Sequence, residues 1–198
     1  MQYFTTTSKA SRRAVDCVIV GIYERGRMSA GAIDIDGASK GALKRLIKSG
    51  DLSSQLGSCK VLNDVDGVRT ARVAVVGLGK FGEFGAKQFA TAVSAALRAI
   101  SGTKSKSVLN CLSLENANDA GIYYLARHTA QSAADVLYRY TQTKSGRKPA
   151  ASTLRQIGIA VNTRGEANRA NRGCEHGDAI GVGVSLAKDL GNLPANIC

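Results

Sequence analysis

The chain reads as a three-layer α/β domain, a mixed sheet of five to six strands with helices on both faces. Three observations predict this. Short runs rich in Val, Ile and Leu alternate with segments whose apolar residues recur at helical spacing, the order expected of a largely parallel sheet covered by helices. The 198 residues suit one compact unit with a single core. The composition, 44% hydrophobic and 21% charged with 22 glycines and 2 prolines, is ordinary for a globular α/β protein.

Residues 3–7 read as a short β segment and residues 17–23 as a buried strand, an apolar run broken by one glycine. Between residues 41 and 49, Leu43, Leu46 and Ile47 share one helical face, Lys44, Arg45 and Lys48 face water, and Gly50 ends the helix. Residues 58–63 form a strand, turned at Asp66-Gly67 into the β-branched core strand 72–77. A long helix is expected over residues 86–100, with Phe89, Val93, Ala96, Leu97 and Ile100 on one face. Residues 107–114 read as a strand, after which Asn118-Asp119 caps a helix running to about Tyr140. The polar stretch 141–152 is a loop, residues 154–161 are the last strand, and residues 168–173 are a polar entry into a final helix over 175–190.

No apolar run of about 18 residues or more is present, so no transmembrane helix is readable. The first residues lack a basic head followed by an apolar stretch. The expectation is a cytoplasmic protein with no membrane partner. Five cysteines, Cys17, Cys59, Cys111, Cys174 and Cys198, are odd in number and never paired as CxxC, which fits neither a disulfide framework nor a structural zinc site. Cys17 and Cys111 lie in apolar runs, where a reduced thiol behaves as a small hydrophobe.

Gly77-Leu78-Gly79-Lys80-Phe81-Gly82 is a literal GxGxxG between a strand and a helix, a turn able to bring backbone amides to a pyrophosphate. Three features count against a dinucleotide site. No Asp or Glu occurs between Glu83 and Glu115 to hold ribose hydroxyls, although Arg98 or Lys104 and Lys106 would suit a 2′-phosphate. The motif follows a strand well into the chain rather than the first one. Glu83 also places a carboxylate where a phosphate would sit. A tight turn needing glycine for its backbone is the simpler account.

Cys174-Glu175-His176 and Asp178 form the densest set of potential ligands, but Cys174 and His176 are too close in sequence to share a helical face. Glu175 and Asp178 are expected to complement the positive end of a helix starting there. His128 lies in an apolar-patterned helix and reads as a packed or surface residue. With two histidines and neither HExxH nor GxSxG, no hydrolase site assembles. Asp34/Asp36 and Asp64/Asp66 lie in turn-like sequence. The net charge of +12 permits contact with nucleic acid or an acidic partner. Lys144, Arg147, Lys148, Arg155 and Arg164 form the basic stretch that would meet phosphates, with Tyr138 and Tyr140 the nearby aromatics.

The closing run Lys188-Asp189-Leu190-Gly191-Asn192-Leu193-Pro194-Ala195-Asn196 resembles the passage from N-terminal to catalytic domain in bacterial leucyl aminopeptidases of the cytosol aminopeptidase family. Gly191 ends the helix and Pro194 prevents its continuation. Residues 17–24, 41–52, 71–80 and 169–180 also resemble that family, so the likeness spreads over most of the chain. It implies a macro-domain-like fold, with residues 1–170 as a non-catalytic α/β domain. Residues 171–198 would be the interdomain helix and the start of a catalytic domain. The complete enzyme would remove N-terminal amino acids from peptides as a hexamer. Two divalent metals, manganese or zinc, would polarise the carbonyl and activate water.

The family's metal ligands and catalytic lysine and arginine lie beyond the Asn-Leu-Pro segment. The resemblance therefore implies no catalytic or metal-binding residue and no cofactor within residues 1–198. It implies a regulatory or assembly role, with the chain's own C-terminal catalytic domain as partner. It also accounts for the glycine turn without a dinucleotide. Some bacterial members bind DNA, which makes a DNA-binding module in transcription or recombination the alternative reading.

Overall fold

The structure is a computed structural model describing residues 1–143 and 152–193. Six strands, β1 (Gln2–Thr6), β2 (Cys17–Tyr23), β3 (Cys59–Asn63), β4 (Arg72–Gly79), β5 (Ser107–Asn110) and β6 (Gln156–Ala160), form one sheet in the order β1-β6-β5-β2-β4-β3. All neighbours are parallel except β3 and β4, the hairpin expected from Asp66-Gly67. The α-helices are α1 (Ala30–Ala38), α2 (Ala42–Lys48), α3 (Ala86–Ser101), α4 (Ile122–Leu137) and α5 (Arg164–Asn192).

The central strands are apolar on both faces because each face is covered. Cys17, Ile19 and Tyr23 of β2 join Ala74, Val76 and Leu78 of β4 beneath α3, α4 and α5. The alternate residues Val18, Val20, Ile22, Val73 and Val75 join Ile35 of α1 and Leu43 of α2. The two-residue period of a strand thus divides one apolar run between two half-cores. The mixed three-layer expectation holds.

Four elements differ from the sequence reading. The strand expected over residues 107–114 ends at Asn110, and Leu112–Leu114 form a 3-10 turn. Asp34 and Asp36, placed in turn-like sequence, lie instead within α1. Ser29 caps it, accepting from the Ala32 N–H at 3.2 Å. Gly31 is required there because a Cβ would come within 2.7 Å of Cys111 Cβ, so packing overrides poor helix propensity. Asp119 does not cap α4, which starts at Ile122; its Oδ1 accepts from the Ala86 N–H at 2.7 Å and places a carboxylate at the positive end of α3. Finally, α5 starts at Arg164, not near residue 175. Thr163 caps it by accepting from the Glu166 N–H at 3.2 Å, and Glu166 accepts in turn from the Asn162 N–H at 2.7 Å. The boundary expected at residues 170/171 falls within this single helix of 29 residues.

Helix α5 lies beside α4 with unusually little between them. Gly173, Gly177 and Gly181 recur every fourth residue on the α4 side, where Cβ atoms would come within 2.3 Å of Tyr123 O, 2.4 Å of Arg127 O and 2.4 Å of Ala134 Cβ. The first half of α5, through Ala170 and Cys174, closes the core over that face.

Candidate functional site

The glycine turn makes no phosphate cradle. The Gly77 N–H donates to Ser58 O at 2.8 Å and the Gly79 N–H to Ser54 O at 2.9 Å, so these amides are committed to the neighbouring loop. A Cβ on Gly77 would lie 2.0 Å from Gln55 O, which is why glycine stands there. Gly79 has a positive φ of 72°, the left-handed region that favours glycine.

The Cys174–Asp178 cluster disperses around α5. Because the helix begins ten residues upstream of Cys174, Glu175 and Asp178 do not lie at its positive end, and the dipole explanation falls. Cys174 is buried against Ala126, Glu175 is exposed, His176 Nδ1 hydrogen-bonds the Tyr123 hydroxyl at 2.7 Å, and Asp178 Oδ1 accepts from the Tyr3 hydroxyl at 3.3 Å. Among the described residues no three His, Cys, Asp or Glu side chains come together as metal ligands. The two metals implied by the family resemblance do not fit these residues. His128 is half-buried, and burial, with Arg127 beside it, lowers its pKa. Burial pushes the thiols of Cys17, Cys111 and Cys174 up to about 12 and that of Cys59 to about 11.

Of the basic stretch, Lys144, Arg147 and Lys148 lie outside the described residues. Arg155 is exposed just before β6, donating through Nη1 to Ser152 O and Leu154 O. Arg164 is exposed at the start of α5, beyond the other end of β6. A strand advances about 3.3 Å per residue, so β6 separates the two rather than bringing them together. Tyr138 is tied to α5, donating to Asp189 Oδ1 at 2.7 Å.

The second half of α5 is the surface that the sequence reading overlooked. No charged residue occurs from residue 179 to 187. Val182 is 66% exposed and Leu186 59%, and Ile180, Val184 and Leu190 are exposed as well. These side chains lie on both flanks of the stripe that meets α4. The charges that follow point back to α4 and its C-cap, Lys188 pairing with Asp135 and Asp189 with Tyr138. A helix apolar on more sides than one neighbour covers is built for a second neighbour. The legible signal was the absence of charged residues between 179 and 187.

Comparison with known proteins agrees with this picture. The profile of the cytosol aminopeptidase family, N-terminal domain, matches residues 19–147. A probable cytosol aminopeptidase of Paraburkholderia phytofirmans is 38% identical over 187 residues, covering 92% of this chain and 36% of that relative. A mutant of tomato leucine aminopeptidase superposes with a TM-score of 0.75 at 18% identity, over the whole of this chain and 39% of the other. A Trypanosoma brucei macrodomain, solved in complex with ADP, superposes with a TM-score of 0.63 at 11% identity, over 86% of this chain and 67% of the other. The macrodomain-like sheet and the sequence likeness thus coincide over one stretch: the chain belongs to the cytosol aminopeptidase family, as its N-terminal domain.

Proposed function

We propose that this chain is the architectural domain of a metal-dependent leucyl aminopeptidase, supporting assembly and regulation while a separate C-terminal domain cleaves N-terminal amino acids from peptides. Residues 1–170 supply the folded body and residues 171–198 lead towards that domain. The observation that carries the reading is the uncovered apolar second half of α5, which offers the missing domain a docking face. It is supported by length, since the chain spans little more than a third of the Paraburkholderia relative. In this reading both metal ions, manganese or zinc, are held outside residues 1–198, and the assembled enzyme is a cytoplasmic hexamer. No helix described is long and apolar enough to cross a membrane.

The test is hydrolysis of leucine p-nitroanilide with added manganese. The 198-residue chain is expected to be silent, and the chain joined to the C-terminal part of the relative to be active. Hydrolysis by the 198-residue chain would overturn the assignment.

A second reading, a DNA-binding module, rests on the net charge of +12. It predicts salt-sensitive duplex binding, weakened by charge reversal at Arg155 and Arg164. Absence of binding at low salt would remove it.

A further inference from the structure

The sheet changes direction at β2. From there the chain builds β4 and β3 on one side, and from β5 it proceeds to β6 on the other. In open α/β sheets, the crevice beyond the carboxyl ends of the strands at such a point is where ligands bind. Here the loop after β1, one side of α1, Leu114 in the segment after β5 and the end of β6 enclose a cavity of about 780 Å³, a size that suits a small organic molecule.

A second hollow of about 610 Å³ shares Ser8, Lys9 and Arg12 with that cavity and adds Arg13 and Arg69. Among the described residues four cations line it and no carboxylate does. Among the described residues none of the four enters a salt bridge, whereas Lys44, Lys60, Lys80 and Lys188 do. The Arg13 guanidinium lies 5.0 Å over the Phe4 ring, with Nε buried and without a hydrogen-bond partner. Buried donors are normally satisfied, so Arg13, at the wall of the hollow, keeps an unmet hydrogen-bonding demand.

The larger cavity differs in chemistry. Asp34 Oδ2 accepts from the Ser11 N–H at 2.8 Å, fixing the loop after β1, while Oδ1 has no partner among the described residues. Ile33, 57% exposed, and Leu114 supply apolar wall.

We propose that this cleft binds a small phosphorylated organic molecule of about nucleoside diphosphate size. Its phosphates lie among Lys9, Arg12, Arg13 and Arg69. Its organic part fills the larger cavity between Ile33 and Leu114 and donates a hydrogen bond to Asp34. A nucleic-acid backbone would satisfy the cations but has no phosphate donor for Asp34, which favours the small ligand. The proposal stands apart from the aminopeptidase reading.

Calorimetric titration with ADP, pyrophosphate and adenosine, at low and at physiological salt, tests it. ADP is expected to bind most tightly, pyrophosphate more weakly and with the steeper salt dependence, and adenosine weakest. Arg12→Gln and Arg69→Gln, both at exposed positions, should each weaken ADP and pyrophosphate about tenfold and leave adenosine unchanged. Asp34→Asn should weaken ADP and adenosine but not pyrophosphate, with thermal melting confirming that each variant folds. No heat from millimolar ADP, or ADP binding indifferent to both arginine variants, overturns the proposal. So does salt-sensitive duplex DNA binding that those variants abolish while ADP fails to bind, an outcome that would assign the basic hollow to nucleic acid.

Discussion

Gly177 lies so close to the carbonyl oxygen of Arg127 that a methyl group at residue 177 would come within 2.4 Å of it. The obstacle is backbone of a packed helix, which cannot rotate aside. Gly177→Ala should therefore cost about 2 kcal/mol or more, despite the better helix propensity of alanine. Gly183, in the same helix, has nothing within 4 Å of its would-be Cβ, so Gly183→Ala should stabilise by about 0.5–1 kcal/mol. Urea denaturation of both variants checks the pair, and equal effects would refute the close packing.

Glu115 ties two elements together. Its Oε1 accepts from the Ala30 N–H at 2.7 Å, at the start of α1, and its Oε2 from the buried Tyr23 hydroxyl at 2.8 Å. Glu115→Ala leaves both donors unpaired and should cost about 2 kcal/mol, while Glu115→Gln should cost less. The readout is again denaturant midpoint.

Alkaline stability follows from two tyrosines. Burial raises the pKa of Tyr23, with Glu115 adding to the shift, and burial followed by Asp178 does the same for Tyr3. The folded state holds these protons more tightly than the unfolded chain, where tyrosine titrates near pH 10. Their contribution is thus complete below about pH 10 and is lost as pH rises above it. Unfolding free energy should fall as pH rises above about 10, and fall less in the Tyr3→Phe/Tyr23→Phe double variant.

At the acid end Asp16 matters. Burial opposes its ionisation, yet hydrogen bonds from the Lys106 and Ser107 N–H groups and the Ser107 hydroxyl, with the Lys106 charge, outweigh this and lower its pKa. Its contribution is present above the unfolded value of about 4 and is lost as pH falls through the lowered one. Asp16→Asn should be less stable by about 1 kcal/mol at neutral pH, and the gap should close in acid.

With thiols held near 12, Cys17, Cys111 and Cys174 should resist a thiol-reactive disulfide reagent in the native state at neutral pH. In a Cys198→Ser background, labelling of all three should appear only on unfolding. Fast native labelling of any of them would contradict the buried placement.

The sheet was legible in the sequence because each strand is a short run of β-branched or apolar residues between glycine or polar breaks. Helix α1 was not, because Gly31 and Gly37 lower its propensity and the need for Gly31 lies in its contact with distant Cys111. The start of α5 was obscured for the same kind of reason. Residues 164–173 are polar or glycine where they face water or α4, and only Ala167 and Ala170 mark the core. Asp119 looked like a cap, and is one, but for a helix that starts at residue 86. The grouping of Lys9, Arg12 and Arg13 with Arg69 depends on the Arg69 N–H donating to Ser11 O at 2.9 Å, a contact between loops that no local pattern announces. The exposed apolar face of α5 was readable, since a helix without charge from 179 to 187 advertises itself.

The most direct test of the central claim changes that face alone. Val182→Asp and Leu186→Asp, introduced together, should leave the melting temperature of the 198-residue chain within about 2 °C, because both side chains are largely exposed. The same pair in this chain, joined to the C-terminal part of the Paraburkholderia relative, should lower leucine p-nitroanilide hydrolysis at least about tenfold, the cost of burying unpaired charge at an interface. Unchanged hydrolysis by the joined protein would contradict the account.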